Sequence, residues 1–568
     1  MRALRVPTVL EWLLLAVGLA LTWRYFWFMD DAFVYFRYVD NCLFLGRGLV
    51  FNPGEYVEGY SSPLWTLLLL VVRSTQLDWY VSLRGLALLF CVTFWATSVK
   101  LNHEFSDKGP RASLSTALSM THYGVLAFFS SGLEMPLVQL AACAFALVLL
   151  RPHRPGFQVL AGLAPLIRPE LTVPTLLLIA ALWIRERRFP RWLAGSSLLL
   201  GVGWLSFRIC YYADLFPNTY YLKDQSDLQQ GYHYLVYSFS THYLFVVLAV
   251  MLVAASVETY LRFRSRRRAS SPKAEATVDA ASVAGRPAEA TADAVDTSHT
   301  DAAPHTPRFV RLTLLLCALV AIVYPLRVGG DMVYYRFLAF PICMGFLACA
   351  GVLEAPLLRI PRIGRGWRFL LPALGAGVAV ASSLARPSML SAHPATLKAV
   401  VGHYHGIADS AWHRQVADLR VTPERSREDR QLLEAYRQAT PDQLKAMQVT
   451  NGGWCVADYR HWDMTIVHDW GLTEPVLART SMKSTRPGHK AGLFPLSRQL
   501  VQLRSIAMRN GSVGRGMYRK AVEQKYAPAW VVNNLPAIEV IEKKAFNRHD
   551  FFENLSLALQ RPKVALSR

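Results

Sequence analysis

The sequence predicts an α-helical protein that crosses a membrane several times and ends in a water-exposed α/β domain. Of its 568 residues, 53% are hydrophobic, and the mean hydropathy is +0.22. Long apolar runs recur from the N-terminus to about residue 385, and several approach the length that a helix needs to cross a bilayer. Residues 386–568 are more polar and mix helical with strand-like patterns, which predicts the separate domain.

Eleven apolar runs are candidate membrane spans. They cover roughly residues 9–28, 63–77, 79–100, 113–131, 133–150, 157–184, 192–213, 241–261, 309–326, 336–354 and 368–385. The first run continues into the aromatic segment 24–28 without a small-residue cleavage site, so it is predicted to be a retained helix rather than a signal peptide. The run 157–184 contains Pro165 and Arg168-Pro169-Glu170, which predict two short segments that meet at a polar tip.

Basic clusters beside the apolar runs predict the orientation of the chain. The clusters at 151–155, 185–191, 262–268 and 359–368 should be cytoplasmic. The opposite face then carries 29–62, 214–240, 327–335 and everything beyond about 386. Four apolar runs lie between 63 and 150, where this orientation requires an odd number of crossings. One of these runs is therefore predicted to be re-entrant or partial.

The predicted domain organisation follows from these spans. In chain order it comprises an N-terminal transmembrane catalytic region (1–268) with the first external loop 29–62, a disordered cytoplasmic linker (269–307), C-terminal transmembrane helices (308–385) and an extracytoplasmic soluble domain (386–568). The linker is rich in Ala, Thr, Asp and Glu and has too few large apolar side chains to form a core. In the last domain, the pattern predicts a helix over 424–448 and strands near 454–457 and 464–467.

Charge and cysteine content argue against nucleic-acid binding and against a metal site built from paired cysteines. The net charge of +21 is concentrated in the short basic clusters beside apolar runs, and no nucleic-acid-binding motif is present. The eight cysteines show no paired metal-binding spacing, and six of them lie in apolar runs. Cys42 and Cys455 fall in predicted extramembrane regions, where a disulfide between them is one option.

Unusual polar residues are concentrated on the predicted outer face. Asp30 and Asp31 directly follow the first apolar run, and two carboxylates at a membrane boundary are costly unless water, a metal ion or a cation meets them. The other polar residues of this face are Arg37, Glu58, Glu134, Arg168, Glu170, Asn218, Lys223, Asp331 and Arg336. Their concentration on one side predicts a single cavity with acidic and basic walls.

A cavity of this kind suits a lipid phosphate held by Arg or Lys, with a carboxylate as general base on an acceptor hydroxyl group. Structural alternatives remain open for these residues. Arg37 is also suited to neutralise Asp31, and Arg168-Pro169-Glu170 to cap two short helices. The remaining alternatives are interfacial anchoring for Lys223 and Arg336 and turn formation for Asn218 and Asp331.

Several segments resemble one family. Asp30-Asp31-Ala32-Phe33 and the segments 48–55 and 57–65 resemble the first external loop of bacterial GT-C glycosyltransferases. This group is similar to the cell-wall arabinofuranosyltransferases that use a polyprenyl-phosphate donor. Further matches follow in order at 131–134, 168–170, 217–220, 329–332 with Arg336, and from 471 to His489. The resemblance thus covers most of the chain.

The resemblance implies a GT-C-like transmembrane bundle and an inverting transferase. It gives Asp30 the role of general base and Asp31 that of orienting Asp30 or binding a metal ion. It leaves open whether a divalent cation such as Mg²⁺ or Mn²⁺ takes part. The residues expected to hold the donor phosphate are Arg37, Arg168, Lys223 and Arg336. Those expected to contact substrate are Glu58, Glu170, Asn218, Asp331 and His489.

We therefore expect a glycosyltransferase of the bacterial inner membrane with its active site on the extracytoplasmic side. It would move a sugar, with arabinofuranose as one candidate, from polyprenyl phosphate to a hydroxyl group of an envelope glycan, glycolipid or protein. A transporter or flippase of a lipid-linked sugar is the alternative, although the paired Gly- and Pro-broken halves of many transporters are missing from the sequence. Four tryptophans of the last domain are candidates for stacking on acceptor sugars: Trp412, Trp454, Trp462 and Trp470.

Overall fold

The computed structural model describes residues 7–240, 307–350, short pieces of 370–380 and most of 427–566, with short gaps inside these ranges. The predicted span 241–261 and residues 269–306 of the predicted linker lie outside the described residues. The described part of the chain is mostly helical.

All the regular secondary structure described before residue 350 is helical. They are α1 (Val9–Arg24), α2 (Ala32–Leu43), α3 (Pro63–Ser74), α4 (Trp79–Phe105), α5 (Leu114–Thr121), α6 (Tyr123–Phe129), α7 (Met135–Leu150), α8 (Pro155–Gly162), α9 (Ala164–Ile167), a 3-10 turn (Pro169–Leu171), α10 (Thr172–Glu186), α11 (Arg191–Tyr212), α12 (Asn218–Leu222), α13 (Leu228–Ser240), α14 (Pro307–Val328) and α15 (Ala339–Ala348). The predicted first external loop, 29–62, contains α2 and the segment that leads from α2 to α3.

Three of these helices are long and apolar enough to cross a membrane: Trp79–Glu104, Arg191–Tyr212 and Arg308–Val328. On α11, Leu198 and Leu199 are 69% and 73% exposed, as expected for side chains that face lipid rather than protein. The chain is therefore a membrane protein, and the helical membrane part of the predicted fold is confirmed.

Two predicted spans are broken. The run 157–184 ends its first helices at Ile167, continues through an extended Arg168 and resumes at Thr172, so the polar tip lies where the prolines and charges predict it. The run 113–131 breaks at His122 into helices of eight and seven residues. Each of these two helices is too short to cross a bilayer by itself.

The described residues of the C-terminal region combine one small sheet with helices. Strands β1 (Gln448–Gly452) and β2 (Met464–His468) pair in parallel, and Gly452 lies opposite His468. The helices are α16 (Pro475–Ala478), α17 (Phe494–Arg509), α18 (Met517–Glu523), α19 (Ala529–Asn533), α20 (Leu535–Phe546) and α21 (Phe551–Leu559). The region is thus more helical than the predicted α/β domain.

The local predictions for this region were partly wrong. The strand predicted at 464–467 lies within β2. Of the strand predicted at 454–457 the structure describes Cys455 alone, which is helical. The predicted helix over 424–448 stops short of its predicted end, since Gln448 begins β1. Trp462 is fully buried and has no surface for a sugar ring, while the other three tryptophans lie outside the described residues.

The C-terminal region packs tightly onto the first external loop. The Asn52 side chain donates a hydrogen bond to the Ile466 carbonyl and accepts one from the Ile466 amide, both at 2.9 Å. Arg504 bridges Glu55 of the loop at 2.5 Å and Glu474 at 2.8 Å. These buried contacts hold the loop, and with it the start of α2, in one position.

All eight cysteines are among the described residues, and none forms a disulfide. The option of a Cys42–Cys455 bridge is therefore wrong. Cys455 is buried and faces a histidine instead, with its Sγ 3.1 Å from Nε2 of His468.

Candidate active site

Asp30 and Asp31 lie at the N-terminus of α2. Asp31 has helical backbone angles, and the chain just before it is held by a hydrogen bond from the Met29 amide to the Ser131 carbonyl at 2.8 Å. The unpaired N–H groups and the dipole of a helix N-terminus favour negative charge. The start of α2 therefore suits a carboxylate pair.

The turn that contains Gly132 packs directly on the start of α2. Gly132 has φ +74°, and a Cβ at this position would lie 3.0 Å from both Ala32 and Phe28. Only glycine combines this backbone conformation with so close an approach. The turn leads directly into Glu134 at the start of α7.

A third segment reaches the pair from far along the chain. Arg336 forms an ion pair with Asp31 at 2.7 Å and with Asp331 at 3.2 Å. Asp331 follows two glycines with positive φ, and a Cβ on Gly330 would lie 2.2 Å from Tyr234. The glycines thus let the chain pass close to α13 and deliver both Asp331 and Arg336 to the start of α2.

Three cations surround the ring of Phe337. The ring centroid lies 4.7 Å from the guanidinium carbon of Arg168, 4.8 Å from Nζ of Lys223 and 6.0 Å from the guanidinium carbon of Arg336. The ring face attracts each cation, whereas the cations repel one another. We call the group of Asp30, Asp31, Glu134, Arg168, Glu170, Lys223, Asp331, Arg336 and Phe337 the charged cluster.

Carboxylates neutralise two of the three cations. Arg168 pairs with Glu134 at 2.8 Å and with Glu170. Arg336 pairs with Asp31 and Asp331. Lys223 differs from both. In the part of the chain that the structure describes, no carboxylate lies within ion-pair distance of its ammonium group.

The ammonium group of Lys223 lies in a partly buried environment that contains both cations and carboxylates. Burial lowers the pKa of its ammonium group below the ordinary value, and Arg336 and Arg168 lower it further against the opposing charge of Asp331. An anion that enters beside Phe337 would relieve this repulsion. The cluster therefore has an acidic side at the start of α2 and a cationic side around Phe337.

Two predicted substrate contacts lie in a second group of residues. Glu58 pairs with Arg208, and the Trp204 indole donates to Glu58 at 3.3 Å. Burial raises the pKa of the Glu58 carboxyl group, although Arg208 opposes this. The Asn218 amide donates to the Gly471 carbonyl at 2.8 Å and accepts from Arg479 at 3.0 Å.

Further ion pairs close this second group. Arg479 pairs with Asp214, and Nζ of Lys544 lies 3.5 Å from the same carboxylate and donates to the Gln560 carbonyl at 2.7 Å. We call Glu58, Arg208, Asp214, Asn218, Arg479 and Lys544 the anchor cluster. Because its members join α11 and the first external loop to the C-terminal region, Glu58 and Asn218 serve to hold these parts together.

Arg37 also has a structural position. It is fully buried, and its guanidinium donates to the carbonyls of Phe51, His461 and Met464 at 2.8, 2.9 and 3.0 Å. It thus ties α2 to the rest of the first external loop and to the C-terminal region. His489 lies outside the described residues.

Sequence reasoning missed Arg208 of the anchor cluster, Phe337 of the charged cluster, and the contact between Cys455 and His468. Arg208 left a signal, because it is a charged residue inside an apolar run. Phe337 left none, since its role depends on the three cations around it. Cys455 and His468 are 13 positions apart and meet only through the fold. The ligand atoms of Asp30, Asp31 and Cys455 lie within 4.8 Å of one another.

Comparison with known proteins finds two relatives with the same description. The chain is 29% identical over 369 residues to a terminal β-(1→2)-arabinofuranosyltransferase of Mycobacterium tuberculosis, and 24% identical over 405 residues to one of Corynebacterium glutamicum. The chain is a distant homologue of these arabinofuranosyltransferases. The resemblance inferred from the motifs is thereby confirmed.

The matches are partial. They include 58% and 61% of this chain and 53% and 50% of the two relatives, so the chain spans about half the length of the curated relatives it matches. No family model matches the chain, and no solved structure matches it either.

Proposed function

We propose that the protein is a membrane glycosyltransferase that moves arabinofuranose from a polyprenyl-phosphate donor to a hydroxyl group of a cell-envelope glycan. One observation carries this proposal: the carboxylate pair and the cations around Phe337 form one continuous cluster, linked by the ion pair between Asp31 and Arg336. Glycosyl transfer from a phosphate needs both a base and cations, on opposite sides of the reacting carbon.

The donor phosphate binds on the cationic side in this proposal. Lys223 supplies a charge that has no ion-pair partner among the described residues, while Arg168 and Arg336 supply fixed hydrogen-bond donors. Their carboxylate partners hold the two guanidinium groups in place. As the bond from the sugar to the phosphate breaks, its electron pair leaves with the phosphate, and the nearby cations stabilise the added negative charge.

The acceptor binds on the acidic side. Asp31 is committed to Arg336, which orients it, and Asp30 takes the proton of the acceptor hydroxyl as that oxygen attacks the anomeric carbon. Such a single displacement inverts the configuration at the anomeric carbon, as the sequence resemblance implies. Glu134, Glu170 and Asp331 then position the cations rather than contact the sugar.

The proposal includes a location for the site. Residues 1–268 and 308–385 would form the transmembrane region in the bacterial inner membrane, 269–307 a cytoplasmic linker, and 386–568 an extracytoplasmic region beside the active site. The basic clusters of the sequence support this orientation. A protease site placed in 269–307 should be cut only from the cytoplasmic side, and cleavage only from the outside would contradict the orientation.

Transfer by the reconstituted protein tests the activity. We would incubate it with polyprenyl-phosphate arabinofuranose and an envelope glycan, and compare Asp30→Asn with the matched control Glu523→Gln, an exposed carboxylate on α18. General base catalysis contributes about 10²–10⁴-fold, so Asp30→Asn should lose at least about 100-fold of the rate while the control keeps it.

Other results would contradict the proposal. Full transfer by folded Asp30→Asn would remove Asp30 as the base, and a retained anomeric configuration in the product would exclude the single displacement. Movement of intact donor across the membrane without cleavage would instead favour the transporter alternative.

A further inference from the structure

The small parallel sheet directs two side chains toward the start of α2. Gly452 ends β1 and His468 ends β2, and the two residues pair in the sheet register. Carboxyl ends of parallel strands lie at the same edge, where α/β proteins commonly bind ligands. Cys455 follows β1 by three residues, which places its thiol at this edge beside the imidazole of His468.

The thiol of Cys455 lies close to the carboxylate pair. The ligand atoms of Asp30, Asp31 and Cys455 all lie within 4.8 Å of one another. Zn²⁺ binds oxygen and sulfur at about 2.0–2.3 Å, so ligands around one tetrahedral ion are roughly 3.3–3.8 Å apart. Small side-chain shifts would therefore bring all three ligand atoms onto one ion.

We propose that Asp30, Asp31 and Cys455 form a binding site for a thiophilic divalent cation of the Zn²⁺ type, supported by His468. The donor set selects the class of ion. Mg²⁺ and Ca²⁺ prefer oxygen ligands alone, whereas one sulfur with two carboxylates suits Zn²⁺. Three protein ligands leave the fourth tetrahedral position for water or another small ligand.

His468 acts through the thiol rather than as a ligand. Its Nε2 lies 3.1 Å from Sγ of Cys455, and both side chains are buried. An imidazole at this distance stabilises the thiolate, which is the form that binds metal ions. Neighbours that hold a ligand in its binding form typically affect metal affinity by about 10–100-fold.

Occupancy of this site would regulate the activity proposed above, and only this step rests on the proposed function. An ion bound by Asp30 and Asp31 engages the lone pair that would take the acceptor proton. Zn²⁺ should therefore inhibit transfer, and chelation of Zn²⁺ should restore it. The cationic side around Phe337 remains available to the donor phosphate.

Zinc binding is measured first, without any need for transfer. The full chain in detergent is stripped with a chelator, dialysed against Zn²⁺ alone, and assayed for bound metal by mass spectrometry. We expect one Zn²⁺ per chain and an affinity at least tenfold lower in Cys455→Ser and in His468→Gln. Cys42→Ser is the matched control, because Cys42 lies near the end of α2 and outside the proposed site. This variant should bind Zn²⁺ as the wild type does.

The binding experiment can fail in two clear ways. Absence of a stoichiometric ion in the wild type, or equal affinity in folded Cys455→Ser and wild type, would overturn the site. Co²⁺ in place of Zn²⁺ provides a second check, because a thiolate ligand gives a charge-transfer band that Cys455→Ser should lack.

Transfer assays then test inhibition. Zn²⁺ should inhibit the wild type at concentrations at least tenfold lower than those needed for Cys455→Ser, and Mg²⁺ should not replace it. Stoichiometric binding without inhibition of an active enzyme would contradict the regulatory step. A protein that binds Zn²⁺ but transfers no sugar would contradict the proposed function and leave the metal site standing.

Discussion

The charged cluster and the anchor cluster contain the same types of residue but differ in how their cations are paired. In the anchor cluster Arg208 and Arg479 are each closed by a buried carboxylate, Glu58 and Asp214. In the charged cluster Lys223 approaches an aromatic ring and two guanidinium groups without a carboxylate partner among the described residues. Residue type alone therefore does not separate a binding site from a structural joint.

The difference has an energetic consequence. Removing one partner of a closed, buried ion pair leaves an uncompensated charge, which costs stability. Lys223 has no carboxylate within ion-pair distance among the described residues, so its removal leaves no closed pair broken and costs less stability. Substitution of Arg208 in the anchor cluster should therefore destabilise the protein strongly, whereas substitution of Lys223 should weaken donor binding in a folded protein.

The largest effect is expected for Arg208→Met. It leaves the Glu58 carboxylate, 1% exposed, without its partner and should destabilise the protein by about 3–5 kcal/mol. Thermal unfolding in detergent measures this loss. The double variant with Glu58→Gln should recover part of it, because the buried charge is then removed as well. Wild-type stability of the single variant would show that the pair is not a structural joint.

A smaller effect is expected for Lys223→Met. A hydrogen bond to a charged group contributes about 1.5–3 kcal/mol, so the KM for the polyprenyl-phosphate donor should rise about 10- to 150-fold. Thermal stability should stay near that of the wild type. Lys563→Met, an exposed lysine near the C-terminus, is the control. An unchanged donor KM would move the phosphate away from Phe337.

The lowered pKa of Lys223 predicts a pH effect on donor binding. Because the ammonium loses its proton at a lower pH than an ordinary lysine, donor affinity should fall as the pH rises through that pKa. Lys223→Arg keeps its charge and should hold donor affinity to higher pH, even if its geometry weakens binding at neutral pH. Parallel pH profiles of donor KM for the two proteins would contradict this.

The smallest effect concerns Lys544 of the anchor cluster. Burial lowers the pKa of this ammonium to about 8, against the opposing charge of Asp214. Between pH 8 and the ordinary lysine value, the unfolded chain binds more protons than the folded chain, so this group makes stability rise with pH. Below pH 8 both states are protonated and its contribution is constant. Lys544→Met should show a shallower rise in unfolding temperature over that window, and an unchanged slope would contradict the assignment.

The part of the fold that could be predicted is the part that depends on neighbours in the chain. Apolar runs mark helices because a bilayer-spanning or buried helix needs them, and the break at Arg168 follows from two prolines and two charges within six residues. The pair Asp30 and Asp31 could also be recognised from neighbours in the chain. Two charges beside an apolar run cost free energy at a membrane boundary, which marks them as a candidate site. Cys455 is helical where the pattern predicted a strand, because so short a pattern does not distinguish a strand from a turn of helix.

The sequence by itself determined that this is a helical membrane protein with a charged site beside its first apolar helix, because hydropathy and local charge act at short range. Only the tertiary structure decided which charges meet. Asp31 pairs with Arg336, which is 305 positions away. Glu58 pairs instead with Arg208. Arg37 donates its hydrogen bonds to three backbone carbonyls. Ion pairs form wherever packing brings opposite charges together in a dry interior, and sequence distance does not limit that choice.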